Sequence, residues 1–302
     1  MSLLKNIETQ GLMFDGAMGT MLIQAGLESG TVPETWVLER PEEIIKVHQG
    51  YADAGADVLI TNTFGGNPIK LKKAGLDKKT EQINKVAAGL TKSIAKDQCL
   101  VAGNIGPTGE LIQAGGTISE EAVKDCFAAQ AQALVQGGVD LFLVQTFFNL
   151  KEIISAIQGI QSVSDLPVFA SMTFQEYPKG FSTIMGDSVE YSMNALKDAN
   201  ALVVGANCSL GSDRMVLLAK EVRRAVSTPV MVAPNAGSPV VRQGKTRYSE
   251  DARTFSENMY AIKKLGVEVL GGCCGTTPEY IRQTIEKTRV KKQCMLKAKI
   301  SE

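Results

Sequence analysis

The sequence predicts an α/β protein, a single-domain (β/α)8 TIM barrel. Eight short runs are apolar throughout, the segments between them carry helical spacing, and each run gives way to a polar motif. A strand without polar alternation is covered on both faces, as in parallel sheets wrapped by helices. Eight such βα units in 302 residues match a closed barrel. An open doubly wound sheet is the competing arrangement, but no Gly-x-Gly-x-x-Gly follows the first run.

The first strand is Leu12-Met13-Phe14, leading into Asp15-Gly16-Ala17-Met18-Gly19-Thr20. Val58-Leu59-Ile60 comes second and ends in Thr61-Asn62-Thr63-Phe64-Gly65. Leu100-Val101-Ala102 is third, followed by Gly103-Asn104-Ile105-Gly106-Pro107-Thr108-Gly109-Glu110. The fourth, Leu141 to Val144, ends in Gln145-Thr146-Phe147-Phe148-Asn149, and the fifth, Val168-Phe169-Ala170, in Ser171-Met172-Thr173-Phe174. Ala201 to Val204 is sixth and runs toward Ala206-Asn207-Cys208-Ser209-Leu210-Gly211. Val230-Met231-Val232 is seventh, before Ala233-Pro234-Asn235-Ala236-Gly237. Val267 to Leu270 is eighth, before Gly271-Gly272-Cys273-Cys274-Gly275. Between strands, spacings such as Ile44, Ile45, Val47, Tyr51 and Ile153, Ile154, Ile157, Ile160 mark helices. Gly55, Gly137-Gly138 and Gly266 stand where left-handed helix C-caps are expected. Residues 1–290 are assigned to the barrel and 291–302 to a polar tail.

Lys+Arg and Asp+Glu balance at 32 each, and 44% of residues are hydrophobic. That profile gives no electrostatic case for nucleic acid or a membrane surface. No apolar stretch reaches the roughly 18 residues of a membrane span, and the N-terminus carries no secretory pattern. Six cysteines in a chain this long do not make a disulfide framework. A reducing cytoplasm is the expected location. Cys99, Cys126 and Cys294 read as ordinary thiols.

In a barrel of this kind the strand C-termini form one rim, where active sites lie. Amides around Gly16 to Thr20 are placed there to hold the carboxylate of an amino acid or another small anion. Asp15, Gly16, Ala17, Met18, Gly19, Thr20, Asn62, Phe64, Asn104, Gln145 and Asn235 are the candidate substrate contacts. Singly, most such residues simply make turns. Cys208, Cys273 and Cys274 are the candidate metal ligands. Three thiolates on a zinc ion leave its fourth position open for chemistry, although their spacing matches no zinc-finger pattern and three ordinary buried thiols remain the alternative. The single histidine, His48, lies within a helical stretch far from any strand end. It reads as a structural residue, so Cys-His and Ser-His-Asp catalysis lack their base.

Together, Asp15 to Thr20, Thr61 to Gly65, Ile105 to Glu110, Ala206 to Gly211, Pro234 to Gly237 and Gly271-Gly272-Cys273-Cys274-Gly275-Thr276-Thr277-Pro278 resemble the homocysteine S-methyltransferase family. The similarity is greatest to the N-terminal barrel of cobalamin-dependent methionine synthase, and it spans about residues 10 to 288. It implies a (β/α)8 barrel with Zn2+ on Cys208, Cys273 and Cys274, and a thiol amino acid bound through Asp15 to Thr20. No protein side chain acts as nucleophile; the zinc-activated substrate thiol does. The chain has no room for folate or cobalamin domains, so a corrinoid (cobalamin) carried by a partner protein is the expected methyl source. A small donor such as S-methylmethionine or a betaine is the alternative.

Two positions depart from the family pattern. Asn104 and Gln145 stand where many relatives carry acids, and the family's Glu at the latter holds the homocysteine ammonium. Homocysteine remains the expected acceptor. The alternatives are a thiol lacking an ammonium group, demethylation of another methylated substrate, and a non-catalytic zinc-binding barrel subunit.

Overall fold

A computed structural model describes residues 3–28, 30–110, 112, 118–242 and 245–288. The polar tail 291–302 and Cys294 lie outside the described residues. Eight parallel strands form the barrel: β1 Leu12–Met13, β2 Val58–Ile60, β3 Leu100–Ile105, β4 Leu141–Phe147, β5 Val168–Met172, β6 Val203–Gly211, β7 Val230–Asn235 and β8 Val269–Leu270. Their order is β1-β8-β7-β6-β5-β4-β3-β2. The ring closes through a parallel bridge between Phe14 and Val58, with Asp57 N–H donating to the Met13 carbonyl at 2.7 Å. All eight expected strands are present. The open-sheet alternative is excluded by this closure.

Side-chain alternation along each strand divides the core into two layers. Leu12, Phe14, Val58, Ile60, Ala102, Leu141, Leu143, Phe169, Val203, Met231, Ala233 and Val269 fill the barrel interior. Their neighbours Met13, Leu59, Val101, Phe142, Val144, Val204, Val232 and Leu270 face outward under the helices. Both sets are apolar because both faces are covered, which explains the unbroken runs. The helix Leu3–Gln10 contributes Ile7 to the interior cluster and stoppers its lower end. Carboxylates staple that end: Asp57 accepts from Met13 N–H, Asp140 from Val101 N–H and Glu268 from Val230 N–H, all within 2.9 Å.

One major helix follows each strand: Pro41–Ala54, Thr80–Ala95, Glu120–Gln136, Leu150–Gln161, Val189–Asp198, Ser212–Ala225, Ala252–Lys264 and Pro278–Thr288. Ser119, Asn149, Ser188 and Asp251 cap four of them through side-chain oxygens. Gly55, Gly138 and Gly266 adopt the expected positive φ. Two short hairpins, Gln175–Tyr177 with Gly180–Ser182 and Pro239–Arg242 with Lys245–Tyr248, extend from the rim and were not expected. Cys99 and Cys126 are buried, and burial pushes the Cys126 thiol up to about 12.

Two packing sites make opposite predictions. A Cβ on Gly205 in β6 would lie 1.9 Å from the Met231 carbonyl oxygen, so Gly205→Ala should cost about 3 kcal/mol. Exposed Gly89 lies inside the helix Thr80–Ala95 with nothing within 4 Å of such a Cβ. Gly89→Ala should stabilise by about 1 kcal/mol, and urea melts of both variants check the two signs.

His48 is fully buried in the helix layer, with Nε2 3.0 Å from Thr91 Oγ1. Burial lowers its pKa to about 3. The unfolded imidazole titrates near 6.5, so the unfolded state binds more protons below that pH. Stability is therefore whole above about pH 6.5 and falls as pH drops toward 3. Relative to His48→Gln, the native chain should lose about 2 kcal/mol between pH 7 and pH 5, which denaturant titration at the two pH values measures.

Candidate metal centre

At the upper rim, β7 separates β6 from β8, and the segments leaving the outer two converge above it. The sulfurs of Cys208, Cys273 and Cys274 all lie within 4.8 Å of one another, with Cys208 and Cys274 Sγ 4.0 Å apart. Among the described residues this is the one group of three or more Cys, His, Asp or Glu side chains able to hold a metal ion. Each cysteine is partly accessible from the rim.

The local backbone is shaped to bring the sulfurs together. β6 runs through Cys208, but its register against β7 shifts between Asn207 and Gly211. Cys208 and Ser209 sit there at φ 61° and 60°. A non-glycine residue in the left-handed region costs on the order of 1–3 kcal/mol and persists only where surrounding contacts enforce it. Thr146, at φ 67°, marks a matching register shift in β4 between Val144 and Phe147. Cys273 and Cys274 both lie in the turn beyond β8.

That turn is pinned from β1 and β7. Gly272 N–H donates to the Asp15 carbonyl at 3.1 Å and Cys273 N–H to the Pro234 carbonyl at 2.8 Å. Gly275 N–H donates to Thr20 Oγ1 at 3.0 Å. Thr276 Oγ1 donates to the Cys273 carbonyl and accepts from Ala17 N–H, at 2.7 and 3.1 Å. Gly275 takes φ 86°, and the Tyr248 ring lies so close that a Cβ there would stand 2.2 Å from its Cγ.

Charge in the cluster is unevenly shared. Hydrogen bonding from Cys273 and then Cys274 pushes the Cys208 pKa down, favouring its thiolate form within the cluster. Hydrogen bonding to that thiolate raises Cys273 well above an ordinary thiol and Cys274 to about 11. Burial raises the Tyr248 hydroxyl, and the neighbouring cysteine sulfurs oppose its ionisation further. Three thiols this close cannot all ionise without a cation among them. The donor set therefore fits a thiophilic divalent ion with an open position. The Asn235 side chain bonds to Cys208, while its own buried Oδ1 has no partner.

The other expected contacts divide into two groups. Thr20 and Ala17 brace the cysteine turn, and Met18, Gly19 and Thr20 open the helix Met18–Gln24. Gly16 packs against Thr276 and Tyr51. Phe64 lies against Gly106, with Lys70 Nζ 4.7 Å from its ring centroid. Asn104 and Gln145 are joined, Gln145 Nε2 donating to Asn104 Oδ1 at 2.9 Å. Asp15 and Asn62 face the scaffold. Asp15 is 1% exposed, its Oδ2 accepts from Ile60 N–H, and burial raises its pKa. Asn62 donates to the Pro33 carbonyl at 2.9 Å.

Sequence reasoning passed over Asn207, Thr146, Thr276 and Tyr248. Buried Asn207 accepts from Thr146 N–H and Ser171 Oγ, and donates to Thr146 Oγ1, at 2.7–2.9 Å. Its Nδ2 also approaches Cys273 Sγ at 3.9 Å. Asn207 and Thr276 lie inside the strand-end motifs, where their position was the available signal. Tyr248 arrives on a hairpin that has no apolar periodicity to announce it.

Comparison with known proteins agrees with this architecture. The homocysteine methyltransferase MmuM from Escherichia coli, in its metallated form, superposes with a TM-score of 0.77 at 23% identity, covering 93% of this chain and 97% of that one. Its oxidized form gives 0.79 at 22% identity, with 94% and 98% covered. A methyltransferase from Methanosarcina mazei shares the fold at 0.61 and 10% identity, with 95% and 97% covered. The profile of the family described as homocysteine S-methyltransferase matches residues 12–288. Taken with the barrel, that match places this chain in the homocysteine S-methyltransferase family, as a methyltransferase.

Proposed function

We propose that the chain is a zinc-dependent thiol S-methyltransferase of the cytoplasm. Homocysteine giving methionine is its foremost reaction, with a methylcorrinoid on a partner protein as methyl source. The observation that carries this reading is the trio of sulfurs within 4.8 Å at the open rim. No helix among the described residues is long and apolar enough to cross a membrane. A reducing compartment keeps such thiols available as ligands.

Cys208, Cys273 and Cys274 would hold the ion. Zinc bound there supplies Lewis acidity that keeps an acceptor thiol deprotonated at neutral pH, where a free thiol is mostly protonated. The chain's own groups set direction. Asn235 bonds to Cys208, and Asn207 Nδ2 approaches Cys273. Hydrogen bonds of this kind orient ligand lone pairs. Thr20 and Thr276 hold the turn that carries two of the three sulfurs. The acceptor's proton leaves to solvent. Its sulfur lone pair then forms the new S–C bond as the bond between the methyl group and its donor breaks.

Resemblance of the Gly271 to Pro278 motif to the cobalamin-dependent methionine synthase barrel supports the corrinoid donor. Cys208→Ala, Cys273→Ala and Cys274→Ala should each weaken zinc binding by on the order of 100-fold or more and abolish methionine formation. A folded variant with normal zinc and turnover would contradict the ligand assignment. With methylcobalamin as donor the native protein should form methionine from homocysteine. Transfer from S-methylmethionine but not from methylcobalamin would sink the corrinoid reading.

A further inference from the structure

A line of three side-chain amides leads from the metal centre along the rim, and the backbone fixes its polarity. Thr146 N–H can only donate, and it donates to Asn207 Oδ1 at 2.9 Å. Asn207 must therefore turn Nδ2 outward, toward Thr146 Oγ1 and, at 3.3 Å, Gln145 Oε1. Gln145 is thereby oriented with Nε2 leading, and it donates to Asn104 Oδ1 at 2.9 Å. Asn207 Oδ1 accepts two hydrogen bonds, and Gln145 Oε1 and Asn104 Oδ1 accept one each. What the line leaves over is donor capacity: the second Nε2 hydrogen of Gln145 and the Nδ2 group of Asn104. Asn104 is 7% exposed, and its Nδ2 is not among the sealed polar atoms that lack a partner. Amide orientation is ordinarily ambiguous, but here a main-chain hydrogen decides it.

Acids at the neighbouring strand ends are engaged elsewhere. Glu34 accepts from Gly65 N–H, Glu152 accepts from Thr108, and Glu110 pairs with Lys73. Asp15 is fully buried: its Oδ2 accepts from Ile60 N–H, and its Oδ1 has no partner but is closed off from the rim surface. A cation, Lys70, stands over Phe64 on the β2 side of this rim. An ammonium group has only hydrogens to offer; along this line it finds neutral amide oxygens that already accept, more free N–H groups than lone pairs, and no carboxylate to balance its charge.

We propose that Asn104 and Gln145 form a donor pair that receives an anionic oxygen, carboxylate or sulfonate, of the acceptor thiol, and that selects against an ammonium group there. The assignment rests on the thiol-methyltransferase reading and narrows its substrate class. Homocysteine fits by turning its carboxylate to this pair, and a mercapto acid without an amine fits equally. Asn207 is a positioning residue for this choice, since it hands the polarity of Thr146 N–H to Gln145.

The test is thiol binding to the cobalt(II)-loaded protein, read from the sulfur-to-metal charge-transfer band. Homocysteine is compared with its deamino analogue mercaptobutyrate, its decarboxy analogue mercaptopropylamine, and mercaptoethanesulfonate. Mercaptobutyrate should bind at least as tightly as homocysteine, and mercaptopropylamine about tenfold or more weaker than both. Mercaptoethanesulfonate against mercaptobutyrate tells sulfonate from carboxylate as the preferred anion. Gln145→Glu should narrow or invert the order, weakening mercaptobutyrate and strengthening mercaptopropylamine. Mercaptopropylamine binding as well as homocysteine while mercaptobutyrate binds poorly would overturn the donor-pair assignment alone. A charge-transfer band that responds to none of the thiols would overturn the metal-thiol reading, and this assignment with it.

Discussion

Like-charge repulsion among three sulfurs is the constraint around which the upper rim is organised. Held within 4.8 Å of one another, they cannot all carry charge: Cys208 is pushed toward the thiolate, Cys273 and Cys274 toward the thiol. A divalent cation bound by the three sulfurs would remove that conflict. Several polar contacts at this end of the barrel hold the cysteine turn in place. Thr20 and Thr276 tie that turn to β1, and Pro234 ties it to β7.

Strain and satisfaction are balanced in the same place. Thr146, Cys208 and Ser209 occupy the left-handed region, and both strands that carry them slip register there. Asn207 is the element common to these irregularities. One buried amide grips β4 through Thr146, β5 through Ser171, and approaches Cys273 beyond β8. Its oxygen accepts a main-chain hydrogen, so the cysteine trio and the amides of Gln145 and Asn104 share one fixed orientation. The opposite end shows the contrast. There the carboxylates of Asp57, Asp140 and Glu268 staple strand starts, which serves stability rather than chemistry.

Much of this was legible in the sequence because both barrel layers are apolar. Runs such as Leu141 to Val144 and Val230 to Val232 have no alternative but burial on two faces, and all eight became strands. The cysteine trio was legible because a barrel brings strand ends together whatever their separation in sequence. Directions were harder to read. Asp15 and Asn62 stand in rim motifs but bond to the scaffold, at Ile60 N–H and the Pro33 carbonyl, partners that come from other segments and leave no local pattern. The register slips at Asn207 and Thr146 come from contacts between strands, which no local pattern encodes. The hairpin that carries Tyr248 adds no described side chain to the core clusters, so Tyr248 reached the cysteine turn without a hydrophobic signal.

The central claim is that Cys208, Cys273 and Cys274 bind one zinc ion with a position open to a substrate thiol. Zinc K-edge X-ray absorption of the native protein, with and without saturating thiol, addresses it directly. The account predicts three sulfur neighbours and one lighter atom in the free protein, and four sulfurs when the thiol is bound. A zinc shell with fewer than three sulfurs, or one that does not change on adding thiol, would contradict it.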